Sequence, residues 1–158
     1  MTAIEPYSLA AEWVYQTLKA DATVRAQVPA LGGEIRVYPS PPPEREKRVA
    51  FVSALAGSSV DRPSGGPTMW TLLWDLTAWR QTADMPLLAV PMAAAIAALT
   101  GPRYAGKGGR YVSLLTGQAW DVECQYLDLI PDPGDYAGPQ PWERITHRFE
   151  IRLAPVWT

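Results

Sequence analysis

The amino-acid sequence predicts an α+β fold, a two-layer domain in which an N-terminal helix and one long inserted helix pack on a mostly antiparallel sheet of about five or six strands. Residues 68–80 alternate between an apolar and a mixed face with the period of a strand. In residues 83–100, apolar side chains recur every three or four positions, as on an amphipathic helix. Shorter alternating segments surround this unit, and proline- and glycine-rich stretches separate them.

The N-terminal part predicts two helices and a short strand. Ser8 is a suitable N-cap for the first helix. Its apolar stripe consists of Leu9, Trp13, Val14 and Leu18. Residues 21–28 predict a second short helix, and residues 34–38 predict a strand. The proline-rich residues 39–47 predict an exposed, extended connection.

Alternation predicts the remaining strands, and helices are expected on one face of their sheet. These strands are residues 48–56, 111–115, 120–130 and 144–153. Within the long helix, Pro91 is expected to cause a kink because proline removes a backbone hydrogen bond.

Loops of unusual length are expected to protrude from this single domain, which comprises residues 1–158. Residues 57–67 (GSSVDRPSGGP) separate two strands that can pair as a hairpin, and the segment is longer than a common hairpin loop. Residues 131–141 predict a second protruding loop, and residues 101–110 predict a flexible basic loop.

Composition and charge argue against several classes of function. With 14 basic and 16 acidic residues, the chain lacks the basic excess that holds a nucleic-acid backbone. No apolar stretch reaches the roughly 20 residues of a membrane span, and no signal-peptide pattern is present, so a soluble protein is expected. Cys124 is the single cysteine, which excludes an internal disulfide and predicts a buried thiol in a reducing compartment.

No catalytic, metal or cofactor site is predicted. Residues 101–107 match the start of a phosphate-binding loop, but Gly108 stands where a serine or threonine would hold magnesium. That segment also follows a helix, whereas the motif requires a preceding strand. His147 is the only histidine, and its position on the inward face of the last strand indicates a packed residue.

Several segments occur in a characteristic order along most of the chain. They are residues 12–21 (EWVYQTLKAD) with the short helix to Val28, residues 35–39 (IRVYP), residues 48–56, residues 70–99 with WDLTAW before the helix, and residues 144–153. In this order they resemble the tail terminator or tail completion proteins of long-tailed bacteriophages and of related prophage or gene-transfer particles.

The resemblance implies a structural virion protein with no enzyme activity and no cofactor. Such proteins form a ring, usually a hexamer, in the neck of the virion, at the head-proximal end of the tail. There the ring caps tail-tube polymerisation and joins the tail to the head connector. The implied partners are further copies of the chain, the tail-tube protein and the connector or stopper protein. DNA would pass through the lumen without sequence-specific binding, no membrane is involved, and assembly takes place in the host cytoplasm.

Interface residues are expected in the loop 57–67 and among tryptophans that the core pattern does not require. Tryptophan is enriched in protein interfaces, although each of these could instead pack under a loop. The predicted interface residues are Ser59, Val60, Asp61, Arg62, Trp79, Arg80, Trp142 and Trp157.

Two other functions remain open at the level of sequence. One is another neck protein, such as a head completion or stopper subunit, because small α+β ring proteins share an architecture. The other is a small ligand-binding domain that uses the sheet as a pocket wall. Fold alone does not separate these functions.

Overall fold

The computed structural model describes residues 6–28, 37–39, 50–66, 68–81, 88–131 and 142–156. Three helices lie in these ranges: α1 (Pro6–Ala20), α2 (Ala22–Gln27) and α3 (Ala89–Thr100). The strands are β1 (Val37–Tyr38), β2 (Ala50–Asp61), β3 (Met69–Gln81), β4 (Lys107–Val112), β5 (Ala119–Ile130) and β6 (Trp142–Pro155).

These strands form one six-stranded sheet in the order β1-β2-β3-β6-β5-β4. β1 pairs with β2 in parallel, and all the other neighbouring strands are antiparallel. The predicted α+β class and the predominantly antiparallel sheet are therefore confirmed. The long alternating segment at residues 68–80 is β3, which pairs with β2 on one side and β6 on the other.

The two faces of the sheet differ in whether helices pack against them. On β3, Trp70, Leu72, Trp74, Leu76 and Ala78 lie on one face, which we call the apolar face. All three helices contribute buried side chains to the core that forms against this face, including Leu18, Val24 and Leu99. The opposite face, which we call the open face, carries Asp75 and Thr77 on the same strand. The core therefore lies between the helices and the apolar face.

One buried polar contact fixes the packing of the largest side chain on β3. The Trp74 indole Nε1 donates a hydrogen bond of 2.7 Å to Ser53 Oγ on β2. Trp74 is 3% exposed and Ser53 is 9% exposed, so water does not readily replace this acceptor. Buried polar groups of this kind need a partner inside the protein.

Cross-strand pairs between β3 and β6 line the open face. Arg148 Nε and Nη2 donate to the two carboxylate oxygens of Asp75 at 2.8 and 3.0 Å, in a bidentate ion pair. Next to it, the hydroxyls of Thr77 and Thr146 are 2.8 Å apart. Both pairs join residues that are directly opposite in the ladder, so they help to fix its register.

The helix ends are explained by local chemistry. α1 begins at Pro6, before the predicted cap Ser8, and proline is favoured at a first helical position. Asp21 caps α2, since its side chain accepts from the Val24 amide at 2.9 Å. Gly101 is the C-cap of α3, and its φ of 78° suits glycine.

The long helix differs from its prediction at the N-terminal end. Its described part is Ala89–Thr100, and residues 83–87 of the prediction lie outside the described residues. Pro91 lies in the first turn of α3, where a backbone N–H has no partner within the helix. Proline removes no hydrogen bond of the described helix at this position, and the expected kink stays a prediction.

Two strands extend into segments that the sequence indicated as loops. β2 continues to Asp61, so residues 57–61 of the predicted loop 57–67 are strand, and only the residues after them form the turn. A register shift between Leu55 and Gly57 returns Val60 to a position opposite Trp70. Likewise, β4 occupies Lys107–Val112, part of which was expected as a flexible loop. Glycine and serine have low strand propensity, and pairing with a neighbouring strand overrides it here.

We expect Ser53→Ala to lower the free energy of unfolding by about 1–3 kcal/mol, because it leaves the buried Trp74 N–H without an acceptor. Denaturant unfolding followed by tryptophan fluorescence measures the change. Ser59→Ala, on an exposed part of the same strand, is the matched control and should be nearly neutral. Equal stability of the two variants would contradict the assigned hydrogen bond.

Candidate assembly surfaces

The predicted interface residues Ser59, Val60, Asp61 and Arg62 lie together at the end of the β2–β3 hairpin. All four are exposed, and Val60 retains 48% of its accessible surface. Met69, which is opposite Asp61 in the ladder, is 39% exposed. We call residues 57–66 and 68–73 the hairpin arm. It presents apolar side chains on a pair of antiparallel strands.

The predicted tryptophan sites are placed differently. Trp79 is only 4% exposed and lies opposite Ala50, which is fully buried. Although Trp79 is on the open face, it is packed within the fold, which is the alternative that the sequence left open. Arg80 and Trp142 lie in paired strands, β3 and β6, whereas Trp157 lies outside the described residues.

A second apolar surface lies at the turn between β4 and β5, and the sequence analysis missed it. Leu114 is 72% exposed and Leu115 is 78% exposed, which are the largest values among the described large apolar residues. The adjacent Val112 is 51% exposed. We call residues 112–118 the leucine turn. The sequence signal for this turn is two leucines beside Ser113 and Gly117, whereas the strand predicted at residues 111–115 would bury one of the two leucines.

A carboxylate from α1 holds the leucine turn in place. Glu12 Oε1 accepts a hydrogen bond of 2.8 Å from the Leu114 amide. The other oxygen, Oε2, and the Tyr111 hydroxyl are both buried. Desolvation, followed by the negative charge of Glu12 and a side-chain hydrogen bond to Glu12, raises the pKa of Tyr111 to about 12. Tyr111 therefore stays neutral, which avoids a second negative charge beside Glu12.

The segment that resembled a phosphate-binding loop has a structural role. Lys107 Nζ donates to the Ala98 carbonyl at 3.3 Å, so its charge lies at the C-terminal end of α3. Gly106 has a φ of 109° and its amide bonds to the Thr100 carbonyl at 2.9 Å. The lysine and the tight turn of the motif are thus used to join α3 to β4.

His147 belongs to a cluster of aromatic side chains on β5, β6 and the connection after α3. Its Nδ1 atom is 2.9 Å from the Tyr126 hydroxyl. The ring of Tyr126 also contacts Tyr104 and Phe149, with centroids 5.8 and 5.9 Å away. Desolvation lowers the pKa of His147 against the opposing effect of Asp128, so the neutral imidazole is favoured. This is the packed histidine that the sequence predicted.

Cys124 is fully buried in the core, as predicted. Desolvation raises the pKa of its thiol to about 12, only partly offset by the charge of Lys107. Because the thiolate is the reactive form, this cysteine is poorly suited to nucleophilic chemistry.

Charged side chains surround a groove of about 570 Å³ beside the end of β3. Its lining includes Met69, Arg110, Asp121, Glu123 and Arg152, so charges of both signs are present. Within the described ranges, no three His, Cys, Asp or Glu residues are grouped so that they could hold a metal ion. No helix in the same ranges has the length and apolar character needed to cross a membrane.

The fold has a counterpart among solved structures. No protein-family model and no curated protein matches the chain. A chain in the virion of a native gene transfer agent (GTA) particle is similar, with a TM-score of 0.54 and 20% sequence identity. The alignment covers 94% of this chain and 98% of that chain. At this identity, the likeness establishes a shared fold over nearly the whole length of both.

We expect Glu12→Ala to accelerate hydrogen exchange of the Leu114 amide by about 2- to 10-fold, because the mutation removes its acceptor. Amide exchange followed by NMR measures the change. The Ser113 amide bonds to the Gln118 carbonyl at 2.9 Å and should keep its protection, which provides an internal control. Glu123→Ala, at an exposed position of β5, should affect neither amide.

We expect stability to fall with rising pH from about 9 to 12 partly through Cys124, because the folded state retains the thiol proton that the unfolded chain releases. This group contributes at most about 1.4 kcal/mol per pH unit. Urea unfolding of the native protein and of Cys124→Ala at several pH values measures the difference. The variant should show the shallower decline, and identical slopes would contradict the shifted thiol pKa.

Proposed function

We propose that this chain is a structural subunit of a phage-like virion, which forms a ring at the head-proximal end of the tail. The observation that carries the proposal is the shared fold with a chain of a gene transfer agent virion, which extends over 94% of this chain. The order of segments in the sequence supports the same class of protein independently. In this role the ring caps the tail tube and joins it to the head connector.

The described surface is consistent with an assembly role. The hairpin arm and the leucine turn expose apolar side chains at positions that no described part of the same chain covers. Exposed apolar surface of this kind marks a site of protein contact. We infer that these two surfaces contact other copies of the chain or neighbouring neck and tail proteins.

The charge pattern of the open face is compatible with a surface past which DNA moves. Its arginines are paired with acids, as in Arg148 with Asp75 and Arg152 with Glu150, the latter at 2.8 Å. Since these positive charges are neutralised locally, the face lacks the basic excess that would hold the phosphate backbone. DNA would therefore move past it without strong binding.

A catalytic role has little support. His147 is packed against Tyr126, and the thiol of Cys124 is buried and protonated. Neither side chain has the activated neighbour that nucleophilic or acid–base catalysis requires. The proposed protein therefore acts by binding and by geometry alone, without a cofactor.

The test is the native mass of the purified protein over a range of concentrations, alone and after mixing with the tail-tube protein from the same particle. A closed ring, formed alone or only on the tube, is the expected result. A strict monomer that does not bind tube protein would reject the proposed function. In that case, the groove beside Met69 becomes the first place to look for a small ligand.

We expect the double substitution Leu114→Ser and Leu115→Ser to leave stability within about 0.5 kcal/mol, because both side chains are exposed, while assembly weakens by roughly tenfold or more. Thermal unfolding and native mass measure the two effects. Leu127→Ser is the control, since Leu127 is 43% exposed but lies on β5, away from this turn. Equal assembly of both variants would show that the leucine turn is not part of the interface.

A further inference from the structure

The sheet ends at β4 on one side, and this strand has hydrogen-bonding groups that no described strand uses. The Ser113 amide bonds to the Gln118 carbonyl of the β5 side, at 2.9 Å. Backbone groups in an antiparallel pair alternate in direction along the strand. The amides of Val112, Arg110 and Gly108 therefore point away from β5. They form the outer edge of the sheet, which is a template for another strand.

The hairpin arm supplies a second open edge on the other side of the same sheet. β1 pairs only with Phe51 and Val52 of β2, so in the described part of the chain no strand lies beside the rest of β2. Ser58, Ser59, Val60 and Asp61 are all exposed. This edge is also available to another strand.

The directions of the two edge strands are compatible. Each step from β2 through β3, β6 and β5 to β4 is antiparallel, so β2 and β4 run in the same direction. A second copy placed beside the first with little change of orientation would therefore set its β2 parallel to β4. The apolar face would continue as an apolar face across the junction, and the helices would remain on one side.

We propose that the β4 edge of one copy pairs with the outer edge of the hairpin arm, residues 57–61, of the next copy. This inference rests on the proposed ring, and it names the contact that closes it. The contact is heterologous, because two different edges meet, and repeated heterologous contacts form a ring when the rotation closes. Main-chain hydrogen bonds hold the two copies together.

Charge favours the pairing of β4 with the hairpin arm over the symmetric pairing of β4 with β4 of another copy. β4 carries Arg110, whose amide points outward, so antiparallel pairing of β4 with its own copy centred on this residue would set two arginines opposite each other. Like charges directly opposite in a ladder are destabilising. Residues 57–61 carry no basic side chain and end in Asp61. The basic edge therefore matches the hairpin arm of another copy better than it matches itself.

The same pairing would bury the exposed leucines of the leucine turn against the next copy. β4 leads into the leucine turn and β2 leads into the tip of the hairpin, so parallel pairing brings these two ends together. Leu114 and Leu115 of one copy would then lie near Val60 and Met69 of the next, all of them partly or largely exposed in the single chain. Their burial supplies a hydrophobic contribution that edge pairing by itself lacks.

Proline at Gly108 tests the main-chain contact. Gly108→Pro removes an outward amide, whereas Gly108→Ala keeps it and is the matched control. A Cβ atom at Gly108 would lie 3.7 Å from Glu123 Cγ and from the Val122 carbonyl, which is ordinary contact, so alanine fits. We expect the proline variant to raise the protein concentration needed for half-assembly by roughly tenfold or more, and the alanine variant to leave it within about twofold. Equal assembly of both variants would overturn the proposal.

Disulfide cross-linking tests the identity of the two edges and does not depend on how well the proline variant folds. Chains carrying Gly108→Cys together with Ser58→Cys or Ser59→Cys should oxidise to a ladder of multimers in at least one combination. The single variants should stay uncross-linked, and the native Cys124 is buried and does not interfere. A ladder from the double variants alone would support the pairing.

Two other cross-linking outcomes would overturn the pairing. Dimers from Gly108→Cys alone would show that β4 pairs with itself. A ring in native mass without cross-links would reject the edge pairing while leaving the proposed ring intact. Absence of any ring, with or without tube protein, would reject the proposed function itself, so the two failures are distinguishable.

Discussion

The structure depends on the double ladder of β3. This strand pairs with β2 and β6 along nearly its whole length, so its backbone groups are used on both sides and its register is set twice. Moving the register by one residue would carry Trp74 and Leu76 to the open face and Asp75 into the core. The Trp74 bond to Ser53 and the Asp75 pair with Arg148 oppose such a shift from the two faces of the strand.

Because β3 fixes which side chains face the helices, one face of the sheet stabilises the fold, and the other face and the edges can contact partners. The three helices and the apolar face share one core, and the open face and the sheet edges lie outside it. The charges of the open face are paired and partly exposed, and such pairs contribute little to stability. The two most exposed of the described large apolar side chains lie in the leucine turn, and the hairpin arm exposes Val60 and Met69; both surfaces extend from strands at or near an edge.

The connection after α3 has uncommon backbone angles, and these angles allow it to pack against the sheet. Arg103 and Tyr104 have φ angles of 59° and 56°, values that are uncommon for residues with side chains. This conformation places Tyr104 against Tyr126, which in turn contacts His147. Together with the Lys107 bond to the end of α3, the cluster joins the helical layer to β4 and β5. The edge proposed to meet another copy is thus supported from behind by packed side chains.

The sequence by itself determined the α+β class, the central strand, the packed histidine and the buried thiol, because periodicity records which side chains face a core. It predicted the exposed residues Ser59 to Arg62, but not the strand beneath them, because glycine and serine obtain strand geometry only from the partner β3. Only the tertiary structure decided that Trp79 is packed and that Leu114 and Leu115 are exposed. The physical reason is that burial depends on what lies across space, and hydrophobicity along the chain does not specify which apolar residues find such a neighbour.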